Sequence, residues 1–503
     1  MPAETNKTSK CDGAVQEQRL ALGLCLLFVL AFGVLWLINL DEPFSQDYDE
    51  GVYLSSARMA LHGHPLFTSV FSSQPPAFLE ILASAFYLFG DSVVVGRCVI
   101  ILFSLVSLVA AGRIAWQVAR PMAGPVAILL LGLSLLFFRQ ATIVQAEIPA
   151  LAFALLAIAI LAREKPRGAW LIGAGFCFTL GALCKLLVVP MLVPIIMLLL
   201  APMPAPEPIP SNVRGWLIFG RQFTARVLAF VLGCAAACAL ILSPWSWPAM
   251  YDQIIVFHLQ AKSHYPPDWS GNLAIIVQVF DQDFVLPLLA VPGLLFLCGN
   301  RLYHVLWLSL WILATAMFLV DHTPLFPRHV LLLLPPLAVA AAANVLWIGE
   351  LLTQKRGEII GLLLLVPCAL ILGFSLDQAT QLIWAKTGDS SEDREIVRLL
   401  EANTRPSDFI VSDQQMQVFR AGRRVPPELC DTSLVRIKSG YLTDQQAIDS
   451  SRHARVIVFW TRRLAQLPLF CKWVESNYEH IPTSGGSRSF FLKKGLVDEE
   501  ISR

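Results

Sequence analysis

The chain has 503 residues, of which 56% are hydrophobic and only 15% are charged, and its formal net charge is +1. Its mean hydropathy of +0.62 excludes an ordinary soluble globular protein of this length and indicates a polytopic α-helical membrane protein. The near-zero net charge gives no sign of a basic surface for nucleic acid, so we expect no nucleic-acid partner.

Apolar segments follow one another along most of the chain. The first, Leu20 to Leu40, is long enough to cross a bilayer and lacks a clear small-residue cleavage site, which indicates an anchor that is retained. Residues 77–89 form a second apolar helix that is rather short to cross alone. Further spans are predicted at residues 93–111, 122–138, 148–162, 170–183, 186–200, 227–242, 284–297, 303–320, 330–348 and 359–376. We expect about 11 transmembrane helices, and the short adjacent pair around Lys185 leaves the count open.

Basic residues divide the loops into two sets. If residues 1–19 are cytoplasmic, most Lys and Arg residues fall in inner loops, as the positive-inside rule expects. Residues 20–376 then form the transmembrane domain, with a first outer loop at residues 41–92. Residues 377–503 lie outside the membrane as well.

The C-terminal segment has the composition of a soluble domain. Strand patterns at residues 408–413, 455–460 and 489–494 alternate with helical patterns at 392–403 and 463–476, which predicts a small extracytoplasmic α/β domain. Of the 11 cysteines, only Cys430 and Cys471 are placed where an extracytoplasmic disulfide could form.

Three acids open the first outer loop: Asp47, Asp49 and Glu50. The apolar residues that follow, over residues 52–61, have a helical period, which predicts a short amphipathic helix at the membrane surface. Asp47 and Glu50 have the spacing of a capping box, and acids stabilise a helix N-terminus without any catalytic role. A cap does not explain Asp49.

Other ionisable residues gather at the outer ends of spans, where their desolvation requires a reason. They include Arg139, Glu147, Lys185, Arg328 and His329. Snorkelling to the interface is the alternative, and Pro149 makes Glu147 a good N-terminal acid in any case. The outer loop at residues 244–284 adds His258, Lys262 and His264 among aromatic residues, which could hold a sugar or a phosphate or form an interfacial belt.

An outward-facing carboxylate near cations at the bilayer surface suits the transfer of a sugar from a lipid phosphate. The carboxylate can deprotonate an acceptor hydroxyl, and the cations can stabilise the phosphate that leaves. Crowding of three acids beside lipid should raise at least one carboxyl pKa, which helps a general base. The sequence has no zinc-ligand spacing, glycine-rich phosphate loop or nucleophile elbow.

The order of several motifs resembles the GT-C superfamily of polyprenol-phosphate-sugar-dependent glycosyltransferases, in the branch of protein O-mannosyltransferases and the lipid A aminoarabinose transferase. The motifs are D-E-x-x-Y at residues 49–53, Pro75-Pro76 before an apolar helix, QAEIPALAF at 145–153, GALCKLLVVP at 181–190 and FPRHVLLLLPPLA at 326–338. They cover residues 20–340 in order, and the outer domain resembles those of bacterial members.

The resemblance implies roles for individual residues. Asp49 would be the general base, Glu50 its partner, and Glu147 the second catalytic acid, where the branch usually has Asp. Members often have Lys before the Pro-Pro pair, but this chain has Gln74. The candidates for binding the donor phosphate are therefore Arg58, Lys185, Lys262 and Arg328. The candidates for other substrate contacts are Asp47, Tyr53, Gln74, His258, His264 and His329.

The resemblance also implies partners and a location. The donor would be an undecaprenyl- or dolichyl-phosphate-linked sugar, transferred with inversion to a lipid, glycan or protein acceptor on the outer face of a bacterial plasma membrane. No cofactor is required by this branch, and a divalent cation stays open without assigned ligands. Two alternatives remain at this point: a transporter or lipid flippase, which should show inverted repeats and interrupted helices, and an inactive scaffold whose outer domain is a receptor.

Overall fold

The computed structural model describes residues 3–163, 168–200, 213–300, 302–353, 391–483 and 489–494, with a few single positions between these ranges. The described elements of the apolar part of the chain are helices. These helices are α1 (Ala3–Leu37), α2 (Tyr48–Leu61), α3 (Ala77–Phe89), α4 (Val93–Val118), α5 (Ala123–Leu133), α6 (Leu135–Gln140), α7 (Glu147–Leu161), α8 (Gly168–Cys184), α9 (Leu192–Leu200), α10 (Val213–Leu242), α11 (Trp247–Tyr251), α12 (Phe257–His264), α13 (Trp269–Gln282), α14 (Val285–Asn300), α15 (Leu302–Asp321) and α16 (Leu334–Thr353).

Every described element from Ala3 to Thr353 is helical, and all the described strands lie between residues 409 and 493. Short irregular helices join some of the α-helices: 3₁₀ turns at Leu186–Met191 and Pro327–Leu333, and a π-helical segment at Asp252–Val256.

Four described helices are long and apolar enough to cross a membrane: Ala14–Leu37, Val93–Val118, Trp216–Leu242 and Pro327–Leu352. A fifth span is possible in the pair α13 and α14, which is bent by 93° at its break. Six shorter apolar helices have 10–17 residues, and at about 1.5 Å per residue they fall short of a hydrocarbon core of about 30 Å. The predicted span at 359–376 lies outside the described residues, so the count of about 11 stays a prediction.

The C-terminal domain is built on a four-stranded mixed sheet. Its strands are β1 (Phe409–Ser412), β2 (Ala454–Phe459), β3 (Tyr478–Ile481) and β4 (Ser489–Lys493), in the order β1-β2-β4-β3. Its helices are α17 (Ser391–Asn403), α18 (Gln415–Arg420), α19 (Leu434–Lys438), α20 (Asp444–Ser451) and α21 (Pro468–Asn477), with 3₁₀ turns at Pro427–Leu429 and Leu464–Gln466. β1 and β2 are parallel, and the other pairs are antiparallel.

The sequence predicted three of these strands and missed β3. Glu479 and His480 are exposed in β3, so this strand has little of the apolar character that marks the others. The helix expected at 463–476 begins only at Pro468, a residue favoured in the first turn of a helix. The residues before it form a turn instead.

The expected disulfide between Cys430 and Cys471 is wrong, since both cysteines are free. Cys430 is buried and its Sγ contacts the Pro426 carbonyl at 4.0 Å, within its own turn. Cys471 lies on α21, where its Sγ contacts the Leu464 carbonyl at 3.9 Å. Each thiol therefore packs locally, and burial raises the pKa of the Cys430 thiol to about 12.

Helix α2 forms where the sequence predicted it, but it does not expose a polar face. Ser55, Ser56 and Arg58, which lie off the apolar stripe, are all buried. The reason is that α18 of the C-terminal domain covers this side of α2. The approach is close: a Cβ on Gly51 would lie 2.5 Å from the backbone nitrogen of Met416. Glycine is therefore required at this crossing, and α2 is held between two layers of protein.

Candidate active site

The first turn of α2 positions the Asp49 carboxylate. Asp47 is the N-cap, and its Oδ1 accepts a hydrogen bond of 2.9 Å from the Asp49 N–H. The predicted capping box does not close on Asp47; Glu50 Oε2 instead accepts from the Gln46 N–H at 3.1 Å. An N-cap aspartate satisfies a donor that the helix leaves free, so the sequence fixes this turn locally.

Arg328 joins three carboxylates into one cluster. It follows Pro327 at the start of a 3₁₀ helix. Its Nη2 donates to Asp49 Oδ2 at 2.6 Å, its Nη1 to Asp47 Oδ2 at 3.3 Å and its Nε to Glu147 Oε1 at 3.0 Å. The forked guanidinium can bond several oxygens at once, which a lysine in the same place could not do. Two acids at the N-terminus of α2 and one from α7 are thereby brought together.

Lys185 completes the cluster from the break between α8 and α9. Its Nζ donates to Glu147 Oε1 at 2.6 Å. Glu147 lies in the first turn of α7 and its side chain is 2% exposed. With all groups ionised, the three carboxylates and two cations together carry one net negative charge. The cations of the cluster are therefore already engaged with carboxylates.

Two buried polar atoms of the cluster have no hydrogen-bond partner in the described part of the chain: Glu147 Oε2 and His329 Nε2. His329 follows Arg328, and its Nε2 lies 3.8 Å from Glu147 Oε1. Buried polar groups normally have hydrogen-bond partners, so a buried group without one requires an explanation. Binding to a group of the substrate is one such explanation. Within the described residues, the cluster therefore has hydrogen-bonding capacity that no protein group uses.

The environment of Asp49 changes its acidity. Burial raises the pKa of Asp49, Arg328 lowers it, and the negative charge of Asp47 raises it again, with a net direction upward. The side chain keeps 30% exposure, so it can still be reached. A carboxylate with a raised pKa accepts a proton more readily than an ordinary one.

Glu50 is adjacent to Asp49 in sequence but lies in a separate buried ion pair. Arg97 donates to both of its carboxylate oxygens, at 2.8 and 2.9 Å, and both side chains are fully buried. The same guanidinium also bonds the carbonyls of Leu40 and Pro43. This position favours a structural role for Glu50 over the expected catalytic partnership.

Of the cations predicted to bind phosphate, only Lys185 and Arg328 lie in the cluster. Arg58 pairs with Asp91 at 2.5 Å, stacks over the Phe419 ring and donates to two carbonyls of the C-terminal domain. It therefore joins the two parts of the protein. Lys262 is exposed on α12.

The other predicted substrate contacts have varied surroundings. His258 and His264 are exposed on α12 with Lys262. The His258 ring contacts the carbonyl of Ile254 in the preceding π-helical segment, and the His264 ring contacts the carbonyl of Gln260 in α12. Tyr53 is buried against the Phe78 ring, at 5.0 Å between centroids. Gln74 accepts a bond from Ser72 Oγ through its carbonyl. His329 and Asp47 are the substrate candidates that join the carboxylate cluster.

Sequence reasoning missed the contribution of the C-terminal domain. The Tyr48 hydroxyl, next to Asp49, bonds both the backbone nitrogen and Oγ1 of Thr432, at 3.0 and 3.2 Å. The guanidinium of Arg463 lies over the Tyr48 ring, 3.7 Å from its centroid. These partners are far away in the sequence, and no local pattern could have found them.

Comparison with known proteins gives a family match over part of the chain and a fold similarity over most of it. Residues 73–213 match the family described as dolichyl-phosphate-mannose-protein mannosyltransferase. No curated protein sequence matches the chain. The fold is similar to that of ArnT from Cupriavidus metallidurans bound to undecaprenyl phosphate, with a TM-score of 0.65 and 14% identity over 94% of this chain and 99% of that one.

A second similar structure is the oligosaccharyltransferase AglB from Archaeoglobus fulgidus, in complex with an inhibitory peptide and a dolichol-phosphate. Its TM-score is 0.56 at 11% identity, over 94% of this chain and 74% of that one. Another structure of the Archaeoglobus oligosaccharyltransferase contains Zn and sulfate, with a TM-score of 0.51 at 10% identity, over 93% of this chain and 73% of that one.

A metal ion does not fit the carboxylates of this chain as they are arranged. Arg328 bonds Asp47, Asp49 and Glu147, so a guanidinium already occupies the position between them. The described residues hold no group of three His, Cys, Asp or Glu side chains that could bind a metal ion.

The family match over residues 73–213 lies within a fold that two classes of membrane glycosyltransferase share. It agrees with the motifs in the sequence. The chain is a multi-pass membrane protein in which residues 73–213 match the dolichyl-phosphate-mannose-protein mannosyltransferase family and whose fold is similar to those of ArnT and AglB.

Proposed function

We propose that this enzyme transfers a sugar from a polyprenyl phosphate to a hydroxyl or amine of an acceptor on the outer face of the membrane, with Asp49 as general base. The observation that carries the proposal is the Arg328 cluster, in which a partly exposed carboxylate lies 2.6 Å from a cation at the end of apolar helices. Base and cation are the two groups that this transfer needs.

The reaction is a displacement at the anomeric carbon. Asp49 takes the proton of the acceptor hydroxyl as its oxygen attacks that carbon. The bond between the anomeric carbon and the phosphate oxygen breaks, and the electron pair stays on the phosphate. Because one displacement occurs, the configuration at the anomeric carbon inverts. The polyprenyl phosphate then leaves as an anion.

Arg328 and Lys185 stabilise the departing phosphate. In the free enzyme both cations bond Glu147, and Arg328 bonds Asp49 too. A phosphate that arrives between them competes for these donors, and drawing Arg328 toward it exposes the Asp49 carboxylate. Glu147 holds the two cations in position. His329 and Glu147 keep the unpartnered atoms that can bond sugar hydroxyls.

The donor class comes from the similar structures. ArnT is bound to undecaprenyl phosphate and AglB to a dolichol-phosphate, which supports a long-chain polyprenyl phosphate here as well. The AglB complex also contains an inhibitory peptide. Neither identifies the sugar or the acceptor of this enzyme.

The test measures transfer of radiolabelled sugar from synthetic polyprenyl-phosphate donors to a membrane extract, comparing wild type with Asp49→Asn. Asparagine keeps the size of the side chain but cannot accept the proton, so we expect transfer to fall about 10²- to 10⁴-fold. Asp41→Asn is the matched control, since Asp41 is an outer-loop aspartate that pairs with Arg420 instead. Equal activity in Asp49→Asn and wild type would overturn the assignment of the base.

A further inference from the structure

One turn of the C-terminal domain is fixed by hydrogen bonds to a single buried carboxylate. Asp413 directly follows β1, is fully buried, and accepts hydrogen bonds from four backbone N–H groups of the turn after β2. The donors are Trp460, Thr461, Arg463 and Leu464, at 2.7, 2.9, 2.8 and 3.3 Å. A carboxylate with four donors fixes the backbone of this turn on one side of the sheet.

The fixed turn presents one arginine to the start of α2. Arg463 stacks its guanidinium on the ring of Tyr48, the residue before Asp49, at 3.7 Å. Within the described ranges, this guanidinium has no hydrogen bond and no ion pair, and its side chain is half-buried. By contrast, Arg58 and Arg420, which also join the C-terminal domain to the membrane part, both pair with an aspartate.

A stacked arginine with free N–H groups suits an anion. Stacking fixes the plane of the guanidinium, and its edge then offers donors that match the oxygens of a phosphate or a carboxylate. The cations of the carboxylate cluster come from the membrane part and are engaged with acids. Arg463 comes from the outer domain, so it meets a molecule that enters from outside.

We propose that Arg463 binds a phosphate or carboxylate group of the sugar acceptor, and that the outer domain thereby selects anionic acceptors. This inference rests on the proposed function, because it takes Asp49 as the place where the acceptor reacts. Tyr48 links the two: its ring supports the guanidinium, and the next residue is the base. Arg463 is a binding residue and takes no part in the proton transfer.

The experiment uses the full-length enzyme and a membrane extract separated by anion exchange into neutral and anionic fractions. The apparent KM is measured for the anionic fraction and, separately, for the polyprenyl-phosphate donor. Arg463→Gln should raise the KM for the anionic fraction about tenfold, as expected for a lost charged hydrogen bond, and leave the donor KM unchanged. Arg463→Lys, which keeps the charge, should recover part of the loss.

Two controls separate binding from docking of the domain. Arg452→Gln changes an exposed arginine of the same domain, paired with Asp449, and should have no effect on the acceptor KM. Thr432→Val removes a hydroxyl that bonds Tyr48 and so weakens the domain contact without touching Arg463. If Thr432→Val raises the acceptor KM as much as Arg463→Gln does, Arg463 is a docking residue and the inference is wrong.

Further outcomes distinguish a phosphate from a carboxylate on the acceptor. They also separate this inference from the proposed function. Phosphatase treatment of the anionic fraction abolishes the Arg463 effect if the group is a phosphate monoester and preserves it if the group is a carboxylate. An unchanged acceptor KM in Arg463→Gln, or label found only in neutral products, overturns the inference alone. Undiminished transfer by Asp49→Asn overturns the proposed function, and the inference falls with it.

Discussion

Two neighbouring carboxylates of α2 belong to different kinds of ion cluster. Glu50 and Arg97 are both 0% exposed, and the arginine bonds both carboxylate oxygens and two backbone carbonyls. Asp49 is 30% exposed and shares Arg328 with two other acids, and one of these has an oxygen without a hydrogen-bond partner among the described residues. The Glu50–Arg97 pair is therefore closed, because its hydrogen-bonding groups are saturated. The Arg328 cluster is open.

The difference between the two clusters shows how buried charged residues can be interpreted in this protein. A saturated pair has no donor or acceptor left for a ligand, and it specifies how the outer loop meets α4. An open cluster with orphaned atoms can exchange partners when a substrate arrives. Residue type alone does not separate the two, because Asp49 and Glu50 are adjacent acids in the same helical turn.

Breaking the closed pair should have the largest effect. Arg97→Leu leaves the Glu50 carboxylate buried without its cation, which should lower the free energy of unfolding by about 3–5 kcal/mol. Thermal unfolding in detergent, followed by tryptophan fluorescence, measures the loss, and Arg120→Leu, at a half-exposed pair with Glu350, is the control. A variant as stable as wild type would show that the pair is not structural.

Breaking the open cluster should reduce catalysis more than stability. Arg328→Gln removes the cation that meets the departing phosphate, and the loss of one such group lowers kcat by about 10²- to 10³-fold. Arg420→Gln, at the Asp41 contact, should leave kcat near that of wild type. Steady-state transfer assays measure both. If Arg328→Gln lost folded protein but kept its kcat, the two clusters would have the same role.

The smallest effect is expected from a substitution that leaves both ion clusters intact and changes only the acidity of Asp49. Asp47→Asn keeps the Oδ1 that caps α2 but removes a charge that raises the pKa of Asp49. The base works only when deprotonated, so activity falls as pH drops through that pKa. Removing the charge lowers the pKa, and the acid limb of kcat/KM should move to lower pH. Movement to higher pH would contradict this assignment.

Much of the candidate site could be predicted from local patterns. The sequence placed α2 and its N-terminal acids, Glu147 at the start of an apolar helix, and Lys185 at a break between helices. Three of the four described strands of the C-terminal domain were predicted as well. These features depend on residues close in sequence, and hydrophobic period and capping chemistry describe them well.

The partner of each charge could not be predicted in this way. Arg58 has the charge expected of a phosphate ligand, yet it joins the outer domain to the membrane part. Glu50 has the chemistry of a catalytic acid, yet Arg97 saturates it. The predicted polar face of α2 is covered by α18, because a helix pattern shows which residues are polar and not what will cover them.

The sequence by itself therefore determined the membrane class, the helical acidic motif and the composition of the outer domain, since these follow from hydropathy and local spacing. Only the tertiary structure decided which acid is open, which cations meet it and how the outer domain reaches it. Asp49 and Arg328 are 279 residues apart, and Tyr48 and Thr432 are 384 apart. Pairings over such distances depend on how the helices pack, which no local pattern encodes.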